Sequence, residues 1–242
     1  MIAQLNSFFH NLFSPFLDFV FPPLCLSCSA LLPDGRQKVC GACWESIQAV
    51  TRDLPLYRET RSRLLEEDAV SDLVSRFVFE KGGAFQHIAH ALKYQSFESV
   101  GIELGRRLGT VMKDWNLSAD VLIPIPLHKI KQRERGYNQA ECIAKGISTV
   151  TGIRVATDLI RRRKHTKTQT KMSLDERRAN VAEAFEIPLQ SVSFLGNKTC
   201  ILVDDVITTG ATVNSCAQIL KYAGASTIIA VSAALAQRDA GA

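Results

Sequence analysis

The sequence lacks the features that mark several large protein classes. No Lys or Arg precedes Arg36, so the basic start of a secretory signal is absent. The first 24 residues are apolar, but polar residues from Asn6 to Asp18 interrupt them too often for a membrane span. The chain has neither the Gly-Lys-Ser/Thr of a Walker phosphate loop nor the Gly-x-Gly-x-x-Gly of a dinucleotide-binding fold. We therefore expect a cytoplasmic protein without a membrane span, and neither a P-loop nor a dinucleotide enzyme.

The composition is that of a folded protein with an uneven charge distribution. The 242 residues are 46% hydrophobic, enough for one substantial domain and a small appendage. Residues 128–178 carry 14 Lys and Arg against 5 Asp and Glu, whereas the rest of the chain carries 15 against 19. This concentration favours an anionic partner, either the phosphates of a small ligand or single-stranded DNA. A solvated basic surface is the alternative.

Apolar residues in the first 24 positions recur at helical spacing. They predict short amphipathic helices that pack on the rest of the protein or present a surface to a membrane-bound partner. The residues in question are Leu5, Phe8, Phe9, Leu12, Phe13, Phe16, Leu17 and Val20.

Four of the seven cysteines form two close pairs, Cys25 with Cys28 and Cys40 with Cys43. Each pair has a gap of two residues, which lets both thiolates reach one ion, and two pairs complete the tetrahedral shell that zinc prefers. Two disulfides or a redox pair are the alternatives, but the missing export signal favours metal. Four thiolates leave no open position, so the predicted zinc is structural.

From about residue 99, helical and strand patterns alternate along the chain. The buried strands predicted from "DVLIPIPL", "KTCILVDD" and "STIIAVSAAL" are separated by helical segments. This alternation predicts an α/β fold with a parallel sheet and helices on both faces. We divide the chain into amphipathic helices and a zinc finger (1–50), a connecting or hood region (51–98) and the α/β domain (99–242).

The stretch "DDVITTGATV" follows the strand predicted from "KTCILVDD" and has the chemistry of a phosphosugar site. Carboxylates accept hydrogen bonds, so Asp204 and Asp205 suit the two hydroxyl groups of a ribose. The segment after them combines hydroxyl groups, small residues and a helix start, which favours a bound phosphate. Its residues are Thr208, Thr209, Gly210, Ala211 and Thr212. Alternatively, Asp205 caps a turn before the helix.

These residues resemble a known family. "ILVDDVITTGATV" is similar to the phosphoribosyl pyrophosphate signature of type I phosphoribosyltransferases, and the chain from about Phe21 to Leu235 resembles the ComF (GntX) family. In that family a four-cysteine finger precedes such a domain. The stretches "LKYQSFESVGIELGRRL", "PIPLHKIKQRERGYNQAE" and "QTKMSLDERRANVAEAF" resemble blocks of the family in the same order.

The resemblance implies roles for particular residues. Asp204 and Asp205 are implied to hold the ribose hydroxyls, and Val206 with the segment Thr208 to Thr212 to hold the 5-phosphate. A loop after the strand "VLIPIP" is implied to face the diphosphate, which usually carries Mg²⁺. The residues of that loop are Arg135, Gly136, Tyr137, Asn138 and Gln139. Lys93 and Gln169 are further candidate ligand contacts, and Asp204, Asp205 and Arg135 are the predicted catalytic residues.

Three functional hypotheses remain open from the sequence. The first is an enzyme that replaces the diphosphate of phosphoribosyl pyrophosphate by a nitrogen nucleophile. The second is a single-stranded-DNA-binding accessory of DNA uptake or of the use of external DNA, which binds through the basic stretch. The third is a scaffold of the uptake machinery, which binds partners through the finger and the amphipathic helices.

Overall fold

The computed structural model describes residues 22–33, 37–94, 97–163 and 184–237. Four parallel strands form its main sheet in the order β1-β6-β5-β2. These strands are β1 (Asp72–Phe79), β2 (Val121–Pro124), β5 (Thr199–Ile207) and β6 (Thr227–Ala236). Two short antiparallel strands, β3 (Arg161–Arg162) and β4 (Phe185–Glu186), make a separate ribbon.

Helices flank both faces of the main sheet, so the predicted α/β architecture is confirmed. The described helices are α1 (Gly41–Ser46), α2 (Pro55–Leu65), α3 (Ala84–Tyr94), α4 (Glu98–Asp114), α5 (Lys129–Arg135), α6 (Gln139–Thr151), α7 (Leu189–Leu195) and α8 (Ala211–Tyr222). None of these helices is long and apolar enough to cross a membrane. Residues 1–21, where the amphipathic helices are predicted, lie outside the described residues.

The alternation of side chains along β5 divides the core into two layers. Cys200 and Leu202 belong to the cluster that contains the buried residues of α2 and α8. Ile201 and Val203 belong to the opposite cluster, which contains those of α4 and α6. Successive residues of a strand point to opposite faces, so an apolar run without polar interruptions places the strand between two helical layers.

Helices α4 and α6 approach each other closely through glycines. A methyl group added at Gly105 would lie 2.0 Å from the carbonyl oxygen of Ile143, and one at Gly146 would lie 2.1 Å from that of Ile102. Both helices therefore depend on residues without a Cβ at their crossing point. This packing holds α6, and with it the loop that precedes α6, against the sheet.

Strand β1 extends the sheet beyond the elements that the sequence pattern predicts. It lies in the region 51–98, assigned above to a connection or hood, and it pairs in parallel with β6 from Asp72↔Ile229 to Phe79↔Ala236. Its pattern of buried and partly buried residues is irregular, which obscures the period of a strand. At least residues 72–79 thus belong to the main sheet, whereas the boundary at residue 98 stays a prediction.

The finger docks on the sheet through an aromatic contact. Trp44 of α1 stacks on Phe77 of β1, with 5.8 Å between ring centroids, and Phe77 lies 5.7 Å from Phe85 of α3. Trp44 and Phe77 are both buried. The finger and the sheet consequently share one apolar core.

Candidate functional site

The candidate site lies at the carboxyl ends of β2 and β5, which are neighbours in the sheet. Their register pairs Pro124 with Val203, and the amide of Ile125 donates a hydrogen bond of 2.9 Å to the Val203 carbonyl. The chain after β2 and the acidic pair of β5 therefore meet at one edge. Ligands of parallel sheets bind at this edge.

The acidic pair is held by its own backbone. Asp204 accepts a hydrogen bond of 2.9 Å from the amide of Asp205, and Asp205 accepts one of 2.8 Å from the amide of Val206. Burial, and next the neighbouring charge of Asp205, raise the pKa of Asp204 to about 8. Asp204 is therefore largely protonated near neutral pH, a state that a ligand with donors or a cation would change.

Lys93, at the end of α3, supplies a positive charge to this pair. Its Nζ lies 3.2 Å from Asp205 Oδ2, and both side chains are largely shielded from solvent. The structure thus brings Lys93 to the predicted ribose site, 112 positions away in the sequence from its partner. The amphipathic pattern of α3 does not by itself indicate this contact.

The predicted phosphate segment forms a tight turn into α8. Gly210 caps the helix in a left-handed conformation with φ of 80°, and a Cβ there would lie 2.6 Å from Leu64 Cδ2. The hydroxyl of Thr209 accepts a hydrogen bond of 3.4 Å from the amide of Ala211. Gly210 is thus required both by the backbone conformation and by the close approach of α2.

Arg63 of α2 anchors this turn from outside, a role that no sequence pattern predicts. Its Nη2 donates to the carbonyl of Thr208 at 2.8 Å, and its Nε donates to the carbonyl of Thr209 at 2.9 Å. With two carbonyl dipoles engaged in this way, the turn keeps the hydroxyls of Thr208, Thr209 and Thr212 as donors for an anion. Arg63 is therefore a positioning residue of the candidate site.

The loop between β2 and α6 is ordered by side-chain bonds to the backbone. Asn138 caps α6 by accepting from the Ala140 amide at 3.1 Å, and it donates to the Ile125 carbonyl at 3.0 Å. Gln139 is 1% exposed and donates to the Leu92 carbonyl at 3.3 Å. These bonds fix Asn138 and Gln139 beside the carboxylates.

The other residues of the predicted diphosphate loop face the end of α3. Tyr137 donates from its hydroxyl to the Leu92 carbonyl, and burial raises the pKa of its phenol to about 12. Arg135 donates to Gln139 Oε1 at 2.9 Å, and its guanidinium lies 5.8 Å from the centroid of the Tyr94 ring. Gly136 ends α5 with φ of 78°. The assignment of Arg135 to diphosphate stays a prediction.

A cavity of about 310 Å³ joins these elements, and we call it the acidic cavity. Five predicted site residues line it, namely Asn138, Gln139, Asp204, Asp205 and Thr212. Its remaining wall consists of Ile125, Pro126, Leu127, His128, Lys131, Ala140 and Arg162. Segments remote in the sequence therefore meet around one concave, partly polar space, as is typical of small-molecule sites.

Arg162 is the cavity residue that the sequence did not single out. It belongs to the basic stretch, where it looked equivalent to Arg161 and Arg163. The structure places Arg161 and Arg163 at the surface, whereas Arg162 is partly buried and lines the acidic cavity. Of these three arginines, Arg162 is thus the one that lines the acidic cavity.

The finger brings its four cysteines together. One sulfur from each of Cys25, Cys28, Cys40 and Cys43 lies within 4.8 Å of the others. The amide of Cys40 donates to Cys25 Sγ at 3.3 Å, and the amide of Cys43 donates to Cys40 Sγ at 3.4 Å. Amide donors stabilise thiolates, so the cluster fits a structural zinc ion.

The sequence matches two protein families in the order that the structure shows. The phosphoribosyl transferase domain family matches residues 135–241, and the double zinc ribbon domain family matches residues 16–54.

Two relatives match most of the chain. The chain is 26% identical to "Competence protein F" of Haemophilus influenzae over 84% of its own length and 93% of the relative. It is 29% identical to "Competence protein ComFC" of Bacillus subtilis over 83% of its own length and 79% of the relative. Over most of its length, the chain is therefore similar to ComF competence proteins. It is also 33% identical to "DNA utilization protein YhgH" of Escherichia coli O6:H1, over 45% of its length and 46% of the relative.

Some predicted features fall outside the described residues. Gln169 is one of them, and residues 164–178 of the basic stretch are another. Their roles stay predictions.

Proposed function

We propose that this protein binds phosphoribosyl pyrophosphate in the acidic cavity and transfers its phosphoribosyl group to a nitrogen nucleophile. The observation that carries this proposal is the meeting of Asp204, Asp205, Thr212, Asn138 and Gln139 around one cavity. The match to the phosphoribosyl transferase domain family over residues 135–241 supports the ligand class.

Each part of the ligand has a chemical counterpart in the site. The carboxylates of Asp204 and Asp205 accept from the ribose hydroxyls, and the turn from Thr208 to Thr212 donates amides and hydroxyls to the 5-phosphate. The diphosphate faces the loop that contains Asn138 and Gln139, with Arg135, Lys131 and Gln169 as candidate cations and donors. Lys93 Nζ lies 3.2 Å from Asp205 Oδ2 and adds a positive charge beside the acidic pair.

The donor set fits Mg²⁺ near the diphosphate. Asp204 and Asp205 offer hard carboxylate oxygens, which Mg²⁺ prefers, although Asp205 Oδ2 already has the Lys93 ammonium at 3.2 Å as its ion-pair partner. Mg²⁺ bound there together with the diphosphate would offset the negative charge of the leaving group.

The protein contributes to the reaction by positioning the reactants and by stabilising the charge that develops. The nitrogen lone pair forms a bond to the anomeric carbon while the carbon–oxygen bond to diphosphate breaks and its electron pair leaves on the diphosphate. The nitrogen then loses its proton to solvent. Asp204 and Asp205 hold the ribose and favour the positive charge that develops on it, because they are fixed by backbone amides before the ligand binds.

The names of the relatives give this activity a biological setting. Two are competence proteins and one is a DNA utilization protein. We therefore assign the protein to DNA uptake or to the use of external DNA. Its thiolate-bound zinc requires a reducing compartment, which favours the cytoplasm.

Calorimetric titration of the zinc-replete protein with phosphoribosyl pyrophosphate and Mg²⁺ tests the proposal. We expect binding by the parent and its loss in the double variant Asp204→Asn, Asp205→Asn, with zinc content and thermal unfolding as controls for the fold. Asp158→Asn, an exposed carboxylate elsewhere, should bind like the parent. Equal binding by parent and double variant would place the ligand elsewhere, and absence of binding by the parent would remove the transferase proposal.

A second candidate is a single-stranded-DNA-binding accessory without turnover. Exposed cations on the described part of the basic stretch, such as Lys129, Lys131 and Arg161, favour it. Neutralising Arg161 to Lys164 should reduce the salt dependence of DNA binding. An unchanged salt slope would leave the scaffold role as the remaining non-catalytic explanation.

A further inference from the structure

A second and larger cavity adjoins the acidic cavity. It has a volume of about 690 Å³, and we call it the basic cavity. The two cavities share part of their walls, namely Pro126, Leu127, Asn138 and Arg162. The shared residues form a partition, so a ligand in one cavity lies next to a ligand in the other.

Arg162 stands in this partition with an unsatisfied charge. Its Nε is buried and donates to no acceptor in the described part of the chain. Its guanidinium carbon lies 5.1 Å from the centroid of the Phe185 ring, and burial lowers the pKa of the guanidinium. A partly buried cation that pairs with no carboxylate of the described residues is costly, so its retention here points to an anion that arrives with a ligand.

The remaining charges of the basic cavity leave a positive surplus. Glu186 pairs with Arg163 at 3.3 Å, and Glu141 pairs with Lys145 at 2.8 Å. Lys129 and Arg161 line the same cavity, and neither forms an ion pair with a described residue. Three cations, with Arg162, thus face a space whose two carboxylates are already engaged.

We infer that the basic cavity is the subsite for the acceptor, and that this acceptor is a small molecule with a phosphate or carboxylate group bound by Arg162, Arg161 and Lys129. The acceptor role rests on the proposed function, whereas the anion site depends only on the cavity and its charges. A planar guanidinium fork recognises such groups by paired hydrogen bonds. Electrostatics therefore select an anionic acceptor over a neutral one of the same shape.

The position of Arg162 connects this site to the phosphosugar. Asn138 and Arg162 border both cavities, so an anion held by Arg162 lies beside the ligand of Asp204 and Asp205. A nucleophile carried by the same acceptor would thereby be kept near the ribose, which is the geometric requirement for transfer between two bound ligands.

The test is equilibrium binding of phenyl phosphate to the full-length, zinc-replete protein, alone and saturated with phosphoribosyl pyrophosphate and Mg²⁺. Phenol, its neutral counterpart, is the ligand control. We expect phenyl phosphate to bind the saturated protein, and phenol to bind at least about tenfold more weakly. Arg161→Gln and Arg162→Gln should each lower the affinity for phenyl phosphate by about tenfold. Arg154 packs on Phe194, so the control variant Arg154→Gln should leave this affinity unchanged.

Thermal unfolding adds a readout independent of ligand. Arg162→Gln should leave the midpoint of the ligand-free protein unchanged or raise it, because the variant removes an unpaired buried charge. A lowered midpoint together with unchanged phenyl phosphate affinity would give Arg162 a structural role and overturn the inference.

Competition separates the remaining outcomes. In one outcome, phosphoribosyl pyrophosphate displaces phenyl phosphate, and both ligands bind Arg161→Gln more weakly than the parent. This result would assign the basic cavity to the diphosphate and overturn the inference of an acceptor subsite. If phosphoribosyl pyrophosphate binds to none of the proteins, the proposed function fails. Loss of phenyl phosphate affinity in Arg162→Gln would in that case still support the anion site.

Discussion

The zinc finger and the acidic cavity differ in how their charged groups are arranged and paired. In the finger, the thiolates face one another at metal-binding distance and two of them accept from backbone amides. In the cavity, Asp204 and Asp205 lie side by side with a raised pKa for Asp204, and Arg162 keeps a buried nitrogen without an acceptor. One zinc ion would satisfy the finger, whereas we propose that a ligand satisfies the charged groups of the cavity.

The finger cysteines are therefore residues that stabilise the fold. The charged residues of the cavity are residues that reduce its stability. Removing an element of the first kind should destabilise the protein. Removing one of the second kind should leave stability unchanged or improve it, at the expense of binding. Four predictions follow this contrast from its strongest expected effect to its weakest.

Removal of zinc should have the largest effect. Structural zinc bound by thiolates contributes on the order of 10 kcal/mol to small domains. We expect a chelator to make the four finger cysteines reactive to a thiol reagent, while buried Cys142, Cys200 and Cys216 stay protected until the sheet unfolds. Simultaneous reaction of all seven would show that finger and sheet unfold as one unit.

Gly146→Ala should destabilise the protein by about 3 kcal/mol or more, because the added methyl would lie 2.1 Å from the Ile102 carbonyl oxygen. Denaturant unfolding gives the free energy. Gly41→Ala is the matched control, since a Cβ at Gly41 meets nothing within 4 Å, and it should unfold like the parent. Equal stability of both variants would mean that α4 and α6 separate without cost.

Asp204→Asn should stabilise the protein at pH 8 and abolish ligand binding. With its pKa raised to about 8, the carboxyl binds its proton more tightly in the folded than in the unfolded protein. Folding then takes up a proton between about pH 4 and pH 8, and the free energy of unfolding falls as pH rises through this range.

The asparagine variant lacks this dependence and keeps the acceptor for the Asp205 amide. We expect a gain of about 1 to 2 kcal/mol at pH 8, and little difference near pH 4. Unfolding curves at the two pH values measure this difference in the free energy of unfolding between variant and parent. A variant less stable than the parent at pH 8 would contradict the assigned cost of the acidic pair.

Arg163→Gln should have the smallest effect. Its partner Glu186 is 3.3 Å away and both side chains are about half exposed, so the pair contributes about 0.5 kcal/mol or less. Thermal unfolding in low and high salt checks this value. A loss above 1 kcal/mol would show that the ribbon of β3 and β4 depends on its ion pair.

Local spacing made the finger and the carboxylate-rich strand predictable from the sequence. Cys25 and Cys28, like Asp204 and Thr212, act within one short segment, and neighbouring residues define their geometry. Arg63, Lys93 and Arg162 were not predictable in this way, because each reaches the site from a remote element. Their contacts depend on the strand order and on the face that each element presents.

Strand β1 was missed for a related reason. Its buried pattern lacks a clear period, and its only strand partner among the described residues is β6. Asp72 and its partner Ile229 are 157 positions apart, so the local sequence around β1 does not reveal this pairing.

The pairing of β1 with β6 also determines the order of events in folding. Ser75 and its partner Ser232 are separated by 157 positions, so the sheet edge forms only after most of the chain has been synthesised. Until then β1, which contains the Phe77 ring that stacks on Trp44, is not paired with β6. The finger can bind its metal early in synthesis. The sheet on which Trp44 packs is complete only after β6 has been synthesised.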